Sequence, residues 1–262
     1  MSKEGLVTSL SVESDLKVMI DSRYTHEDHL SRSNDVWANF KYDLTLKILR
    51  TRCIIGKETR VYDLGCGSGY FSSKLSHLGF EVIGVEPDRH VYELATSNYH
   101  LSGVSFLNTS IDKIDVESDA DVIIMHDVLE HIDAEQVTLL SVAALLRDSG
   151  LLIISVPASE LLFGHHDRQL GHFRRYSKSS LRRALNPLFE VDSIRYLGAI
   201  GIFPILFFSK ILKTSYPVSS DAPIPFYQRV FGWLLHVELP LHLPFGAGLI
   251  VVATKRDQPL YV

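Results

Sequence analysis

The sequence predicts an α/β domain built around a doubly wound, mainly parallel sheet. Short apolar runs alternate along the chain with stretches of helical periodicity, which is typical of strands joined by crossover helices. A glycine-dense turn follows the first apolar run, and the next run ends in an acid. In such a sheet the carboxyl ends of the strands meet at one edge, where ligands bind.

The stretch from Val61 to Glu86 is the centre of this pattern. An apolar run ends at Leu64, a turn with three glycines covers Gly65–Gly69, and a helical pattern closes at Gly79. Glycines permit positive φ and let a ligand lie against bare backbone at a helix N-terminus. A strand-end carboxylate can accept hydrogen bonds from both hydroxyls of a ribose. The unit therefore predicts a ligand that contains a nucleoside.

The glycine spacing separates two kinds of nucleoside ligand. The dinucleotide fingerprint is G-x-G-x-x-G, whereas here the third glycine comes one residue early and Tyr70 occupies the sixth position. The bulk of a tyrosine at that place would hinder the approach of a pyrophosphate. The turn Asp63–Gly69 instead resembles motif I, D-x-G-x-G-x-G, of the class I S-adenosylmethionine-dependent methyltransferases of small-molecule type.

This resemblance implies a Rossmann-like, seven-stranded sheet with an antiparallel last strand, and S-adenosylmethionine as the cofactor. In the family the glycine turn and the strand-end acid hold the donor, and the turn after the third strand meets its adenine. Ser110 stands where an acid is common, so the backbone of Ile111 and the side chain of Ser110 or Asp112 are expected to recognise the adenine. The implied cofactor-binding residues are Asp63, Gly65, Gly67, Gly69, Glu86, Pro87, Ser110, Ile111 and His126.

Composition excludes several other classes of protein. The 262 residues carry a formal net charge of −5 and no lysine-arginine tract, so a nucleic acid is not the expected partner. Two cysteines, Cys53 and Cys66, do not suggest a disulfide framework or a zinc site. The first residues lack a signal-peptide core, so we expect a cytoplasmic protein, with peripheral membrane contact as an alternative.

The chain is expected to contain four segments: 1–52, a lead-in and cap helix; 53–196, the cofactor-binding core; 197–246, an apolar insertion; and 247–262, the last strand of the core. Residues 1–33 are polar, which favours a solvated lead-in over a flap that folds across the cofactor. Apolar residues then recur at helical spacing from residue 34 to 50, and this stripe is interpreted as core packing. The stripe consists of Trp37, Phe40, Leu44 and Ile48.

The remaining elements follow from local signals. Asp88 and Ser177 are expected to cap helices, and a further capped helix is expected from Asp133 to Arg147. The fourth strand is almost continuously apolar, as a central strand covered on both faces should be. The later strands are predicted at Val104–Leu107, Ala120–Met125, Leu151–Val156, Leu188–Tyr196 and Leu249–Thr254.

The segment after the fourth strand, His126–Ile132, is similar to the V-L-E-H-I segment of ubiquinone- and menaquinone-biosynthesis methyltransferases. One interpretation is a capping box, because Asp127 and Glu130 stand three residues apart. A second places His126 or His131 at the reacting centre. A third makes Asp127, Glu130 and His131 a metal cluster, but capping explains two of the three residues more simply, so no metal is predicted.

The loop Phe163–Ser177 is expected to choose the substrate. It holds three histidines and three arginines at the ligand-binding edge, and its D-x-x-L-G-H-x-R-R-Y pattern resembles methyltransferases of glycan, lipid or natural-product pathways. Arg174, Arg175 and Tyr176 are predicted to bind the substrate. The alternative is structural, with both arginines paired to carboxylates and the tyrosine packed beneath the loop.

The chemistry of the implied donor indicates what else the site needs. Its sulfonium is already activated, so the protein chiefly aligns the reactants in a dry site. A hydroxyl acceptor gains from a base, and histidine titrates near neutral pH. We therefore predict O-methylation of a small-molecule, glycan or lipid-linked acceptor, with His126, His131, His166 and His172 as candidate catalytic residues. The alternatives are a nicotinamide-dependent oxidoreductase and a donor-binding partner protein without turnover.

The apolar segment 197–212 contains Pro204 and is too short for a confident membrane span, which takes roughly 20 apolar residues. A buried or dimer-forming helix is preferred, and a homodimer is one of the expected arrangements. The alternative is an interfacial helix that gives access to a lipid-linked acceptor. A second apolar stretch, Phe226–Leu243, is predicted to be a lid or a partner surface.

Overall fold

The computed structural model describes residues 34–52, 54, 59–114, 119–213 and 226–257. The predicted lead-in or flap of residues 1–33 and the residue Cys53 lie outside the described residues.

A seven-stranded sheet forms the centre of the protein, in the order β3-β2-β1-β4-β5-β7-β6. Strands β1 to β5 pair in parallel, and β7 runs antiparallel between β5 and β6. The strands are β1 Arg60–Leu64, β2 Glu81–Val85, β3 Ser105–Leu107, β4 Ala120–His126, β5 Leu146–Pro157, β6 Phe189–Leu197 and β7 Gly248–Lys255. The strand order reverses between β1 and β4, which places the topological switch point beside the glycine turn. The predicted fold class is confirmed.

Helices pack on both faces of this sheet. They are α1 Val36–Thr51, α2 Tyr70–His77, α3 Arg89–Tyr99, α4 Glu135–Leu145, α5 His165–Gln169, α6 Lys178–Leu185, α7 Ile202–Ile205 and α8 Phe226–Glu238. Two predicted caps are confirmed, because the Asp88 carboxylate accepts from the backbone of His90 and Val91, and the Ser177 hydroxyl accepts from Ser180. A π-helical turn, Leu206–Ile211, continues α7.

Strand β4 shows why its sequence is almost continuously apolar. Val122 and Ile124 belong to the core on one face of the sheet, and Ile123 and Met125 belong to the core on the other. Successive side chains of a strand point to opposite faces. A strand covered on both sides therefore has no solvated face, as predicted.

The boundaries of α4 and β5 differ from the prediction. The helix begins at Glu135, and the residue before it, Ala134, has no side chain that can cap it. The predicted cap, Asp133, lies one residue further away, and its backbone carbonyl and carboxylate accept hydrogen bonds from Arg174. Strand β5 begins at Leu146, five residues early, because Leu146 pairs with Ala120 of β4. Both differences come from contacts with distant parts of the chain.

Helix α1 packs on the sheet through more than its apolar stripe. Phe40 and Leu44 are buried as predicted, while Trp37 and Ile48 are half-buried. Two polar residues are also buried on this helix, Lys41 at 2% exposure and Thr45 at 0%. Their partners lie at the ligand-binding edge described below.

The apolar segment 197–212 is partly buried. Ile205 packs inward, but Phe203 and Ile211 are 76% and 69% exposed. Trp233 of α8 is 63% exposed, so α8 also presents a large apolar side chain to its surroundings. Contact with a second copy or with a membrane surface stays a prediction. Within the described residues, every helix is too short or too polar to traverse a lipid bilayer.

Candidate functional site

The glycine turn lies at the carboxyl edge of the sheet between β1 and α2. Gly65, Gly67 and Gly69 all have positive φ, of 74°, 55° and 77°. The backbone nitrogens of Gly65 and Cys66 donate to the carbonyl of Val85 at 2.8 and 3.0 Å. These bonds hold the turn against the end of β2, beside Glu86.

Two of these glycines are also required by close packing. A Cβ on Gly69 would lie 2.7 Å from the ring of Phe106 in β3, and a Cβ on Gly65 would lie 2.5 Å from Val128. The turn is therefore packed between β3 and the segment after β4. Neither Phe106 nor Val128 carries a sequence signal for this role, because both resemble ordinary core residues.

Glu86 turns its carboxylate back toward the glycine turn. Its Oε2 accepts from the backbone nitrogen of Gly67 at 3.0 Å, and its Oε1 accepts from that of Asp88 at 2.9 Å. The residue is 9% exposed, and burial raises the pKa of the carboxyl to about 7 even though the two backbone hydrogen bonds oppose the shift. The acid and the turn meet as the sequence predicts.

Asp63 lies behind the turn. It is 3% exposed and accepts from the hydroxyl of Ser72 in α2 at 2.6 Å, and burial raises the pKa of its carboxyl to about 6. The carboxylate thus joins the end of β1 to the first turn of α2. Its implied contact with the amino acid end of a donor stays a prediction.

Asn108 connects the two turns that border the predicted adenine site. Its amide nitrogen donates to the carbonyls of Glu86 at 2.9 Å and Pro87 at 3.1 Å. The short 3-10 turn that holds Ser110 and Ile111 follows directly. The structure therefore brings Pro87, Ser110 and Ile111 to the same edge, and Asn108 is a residue that the sequence analysis missed.

His126 is enclosed by polar and aromatic neighbours. Its Nε2 and Nδ1 contact the hydroxyl oxygens of Thr45 at 3.1 Å and Ser155 at 2.9 Å. Burial, with the nearby charge of Lys41, lowers the pKa of the imidazole to about 3. The ring also packs against Tyr42 and Phe71, at centroid distances of 5.5 and 5.4 Å. These contacts disfavour His126 as a base, and its catalytic and donor-binding roles stay predictions; the ring lies beside the start of α2.

The capping interpretation of Asp127 is wrong. The residue has a φ of 54° and its carboxylate forms an ion pair with the buried ammonium of Lys41 in α1. The hydroxyl of Ser155 also donates to it at 3.3 Å. The following residues form one 3-10 turn, Leu129–His131, without a side-chain cap. A partner 86 positions away, which no local pattern indicates, determines the role of Asp127.

Glu130, His131 and His172 are brought together by this turn and the substrate loop. One side-chain donor atom from each residue lies within 4.8 Å of the others. The two imidazole rings meet edge to face at a centroid distance of 4.6 Å. Glu130 is fully buried, and burial followed by the charge of Asp127 raises the pKa of its carboxyl well above the usual range.

Asp167 is the centre of the predicted substrate loop. Its carboxylate accepts from Arg175 Nε at 2.6 Å and Gly164 N at 2.8 Å, and it contacts His172 Nδ1 at 3.0 Å. Burial alone would raise the pKa of this carboxyl, but hydrogen bonds from His172 and Arg175 lower it to about 2. His166 is 3% exposed, and burial lowers the pKa of its imidazole to about 4, which disfavours it as a base near neutral pH. Its catalytic role stays a prediction.

Arg175 and Tyr176 follow the structural alternative. The Arg175 side chain is 2% exposed in its ion pair with Asp167, and the Tyr176 hydroxyl donates to Glu135 at 2.7 Å. Of the three predicted substrate-binding residues, Arg174 is the most exposed, with 25% of its side chain accessible beside Glu135. All three residues line a surface cavity of about 390 Å³. Substrate binding by Arg174 stays a prediction.

The raised pKa of Glu86 predicts a pH-dependent stability. Its pKa rises from 4.5 to about 7 on folding, so the unfolded chain releases this proton first as the pH increases. The contribution of Glu86 to the free energy of unfolding is therefore fully present below pH 4.5. It is lost as the pH rises through 7, and the total loss is about 3 kcal/mol. In urea unfolding at pH 5 and pH 8, we expect the wild-type protein to lose more stability than Glu86→Gln, which does not titrate. Glu93→Gln, on the exposed face of α3, should behave like the wild type; a Glu86→Gln profile parallel to the wild-type one would contradict the prediction.

Comparison with known proteins finds a protein family that matches this chain. A family model described as a methyltransferase domain matches residues 36–188, more than half of the chain. A ubiquinone biosynthesis O-methyltransferase from Bradyrhizobium diazoefficiens is 34% identical over 99 residues, which cover 37% of this chain and 39% of that relative. One from Nitrobacter winogradskyi is 30% identical over 118 residues, covering 44% and 43%. The chain thus matches less than half the length of these curated relatives.

A solved structure shares the fold over almost the whole chain. The 1,6-didemethyltoxoflavin-N1-methyltransferase of Burkholderia thailandensis, solved with bound 1,6-didemethyltoxoflavin and S-adenosylhomocysteine, matches with a TM-score of 0.60 at 18% identity, covering 96% of this chain and 94% of that one. Another neighbour, a [4+2]-cyclase, has a TM-score of 0.55 at 14% identity, covering 84% and 82%. The fold alone therefore does not determine the reaction.

Proposed function

The chain belongs to the methyltransferase-domain family, and from this premise we propose that it transfers a methyl group from S-adenosylmethionine to a hydroxyl group of a small or lipid-linked acceptor. The observation that carries the proposal is the carboxylate of Glu86, held at the glycine turn by the backbone nitrogen of Gly67. A carboxylate in that position suits a ribose diol, and the turn leaves no room for bulky side chains at Gly65 and Gly69.

The residues at this edge fit the donor. Glu86 would accept from the ribose hydroxyls, the turn Gly65–Gly69 would lie along the chain that links ribose to amino acid, and Ser110 with Ile111 would border the adenine. Asp63 and Glu86 supply negative charge beside a ligand with a cationic sulfur. The donor supplies a methyl group that is already activated for transfer.

Helix α1 is proposed to cover the site. Tyr42 stacks on Phe71 at a centroid distance of 4.3 Å with nearly parallel rings, so α1 lies over the first turn of α2. The ion pair between Lys41 and Asp127 joins the same helix to the segment after β4. A covered site excludes water, which helps transfer of a methyl group to the acceptor and not to solvent.

The acceptor is proposed from two observations of different kinds. The relatives are named ubiquinone biosynthesis O-methyltransferases, which favours an oxygen acceptor. The exposed side chains of Phe203, Phe207 and Trp233 favour an apolar or lipid-linked molecule, which would contact such side chains. Assistance by histidine is proposed for His131 and His172, because His126 and His166 are closed off by their own contacts.

Donor binding and turnover test this proposal separately. We expect calorimetry to detect S-adenosylhomocysteine and not NADH, and we expect label from methyl-labelled S-adenosylmethionine to enter hydroxylated aromatic lipids. Binding of NADH alone would favour the oxidoreductase. Binding of S-adenosylhomocysteine without transfer to any hydroxylated acceptor in a cell extract would favour the partner protein that lacks turnover.

A matched pair of glycine variants tests the position of the donor. Gly69→Ala places a Cβ 2.7 Å from Phe106, whereas Gly103→Ala, with a similar φ of 78°, meets the flexible hydroxyl of Ser76 at 3.2 Å. Both substitutions carry a backbone strain of roughly 1–2 kcal/mol. We expect Gly69→Ala alone to weaken S-adenosylhomocysteine binding, by at least about tenfold in calorimetry. Equal affinities in the two variants would place the donor elsewhere.

A further inference from the structure

We propose that Glu130, His131 and His172 bind one divalent transition-metal ion of the zinc type. The three residues come from the turn after β4 and from the substrate loop, at the edge of the sheet that also holds the glycine turn. This reverses the expectation from the sequence, which placed Asp127 in the cluster and favoured no metal.

The donor atoms are close enough to share an ion. One atom from each residue lies within 4.8 Å of the other two. Ligand atoms about 2.1 Å from a common ion are separated by at most about 4.2 Å, so small side-chain movements would close the cluster around it. His131 is exposed, which provides a path for the ion from solvent.

Glu130 is buried without a hydrogen-bond partner in the described part of the chain. The residue is 0% exposed, and neither carboxylate oxygen has a hydrogen-bond partner among the residues that the structure describes. A buried charge without a partner is costly, and a protonated carboxyl would still bury a donor without an acceptor. A cation held between this carboxylate and the two imidazoles would satisfy it.

His172 is oriented as metal-binding histidines are. Its Nδ1 lies 3.0 Å from Asp167 Oδ1, and Arg175 fixes Asp167 from the other side at 2.6 Å. Because an ionised carboxylate only accepts, Nδ1 is the donor in this contact, which leaves Nε2 as the nitrogen available to an ion. A second carboxylate behind the ligand histidine is the usual outer partner in metal sites, and its loss typically weakens metal binding 10- to 100-fold.

The donor set selects the kind of ion. Two imidazoles and one carboxylate suit zinc and its neighbours, whereas magnesium and calcium prefer oxygen ligands throughout. Three protein ligands leave a coordination position open, as in catalytic zinc sites. This inference rests on the proposed function in one respect: His131 and His172 would assist transfer as metal ligands and not as bases, because an acceptor hydroxyl in the open position would lose its proton more readily.

Cobalt(II) added alone to protein freed of metal tests the site, because its visible absorption reports the coordination. We expect one saturable site in the wild type, and at least tenfold weaker binding in Glu130→Gln and His131→Ala. His100→Ala, which removes an exposed histidine far along the chain at the end of α3, should bind like the wild type. His131→Ala keeps the test valid if Glu130→Gln fails to fold, because His131 lies on the surface.

Two further measurements separate this proposal from its alternatives. Cobalt(II) should raise the melting temperature of the wild type and His100→Ala but not of Glu130→Gln. Binding of S-adenosylhomocysteine should be unchanged in all three variants. The metal site is thus tested independently of donor binding, on which the proposed function rests. Equal cobalt affinity in the wild type, Glu130→Gln and His131→Ala, or no binding by the wild type, would overturn the metal site.

Discussion

Glu86→Ala is expected to weaken binding of S-adenosylhomocysteine by roughly 30- to 1,000-fold. Two hydrogen bonds from ribose hydroxyls to a carboxylate would be lost, and such bonds together contribute roughly 2–4 kcal/mol. The substitution also removes the acceptor of the Gly67 backbone nitrogen, which lies 3.0 Å from Glu86 Oε2, so the glycine turn loses a contact that holds its shape. Isothermal titration of the purified variant measures the loss.

Two other variants control for this substitution. Glu86→Gln keeps the shape of the side chain and one good acceptor, so its affinity should lie between those of the wild type and Glu86→Ala. Glu93→Ala removes an exposed acid of α3 that pairs with Arg89, and it should leave donor binding unchanged. Wild-type affinity in Glu86→Ala would remove the basis of the proposed function, since no other residue at this edge is assigned to the ribose.

Arg175→Ala is expected to lower the free energy of unfolding by about 3–5 kcal/mol, because it leaves the carboxylate of Asp167 buried without its cation. Asp167 is 0% exposed, and the guanidinium also donates to the carbonyl of Ala158 at 3.3 Å. For a chain of this size the melting temperature should fall by roughly 10 °C. Differential scanning calorimetry and urea unfolding measure the two quantities.

The adjacent arginine is the matched control. Arg174 pairs with Asp133, whose side chain is 80% exposed, and with Glu135 at 3.2 Å, so Arg174→Ala should cost about 1 kcal/mol or less. Adding Asp167→Asn to Arg175→Ala should recover part of the stability, because the buried charge is then gone. Similar losses for Arg174→Ala and Arg175→Ala would show that the buried pair does not hold the loop.

The histidines illustrate the limit of what a sequence motif can assign. All four candidates have the residue type that suits a base near neutral pH, and the sequence does not distinguish among them. In the structure His126 is held by Thr45 and Ser155, and His166 is buried, so both pKa values lie far below the ordinary value. His131 and His172 instead share the space beside Glu130. The pKa of a histidine depends on its burial and on its neighbours, and the residue type alone specifies neither.

The sequence by itself determined the strand and helix pattern, the caps at Asp88 and Ser177, and the meeting of Glu86 with the glycine turn. Each of these follows from signals within a few residues or one βαβ unit, where backbone geometry leaves few alternatives. Only the tertiary structure decided the partner of Asp127, the burial of Arg175 and the exposure of the segment 197–212. These features join residues that are far apart in the chain, and their free energies depend on desolvation and on neighbours that appear only when distant elements pack together.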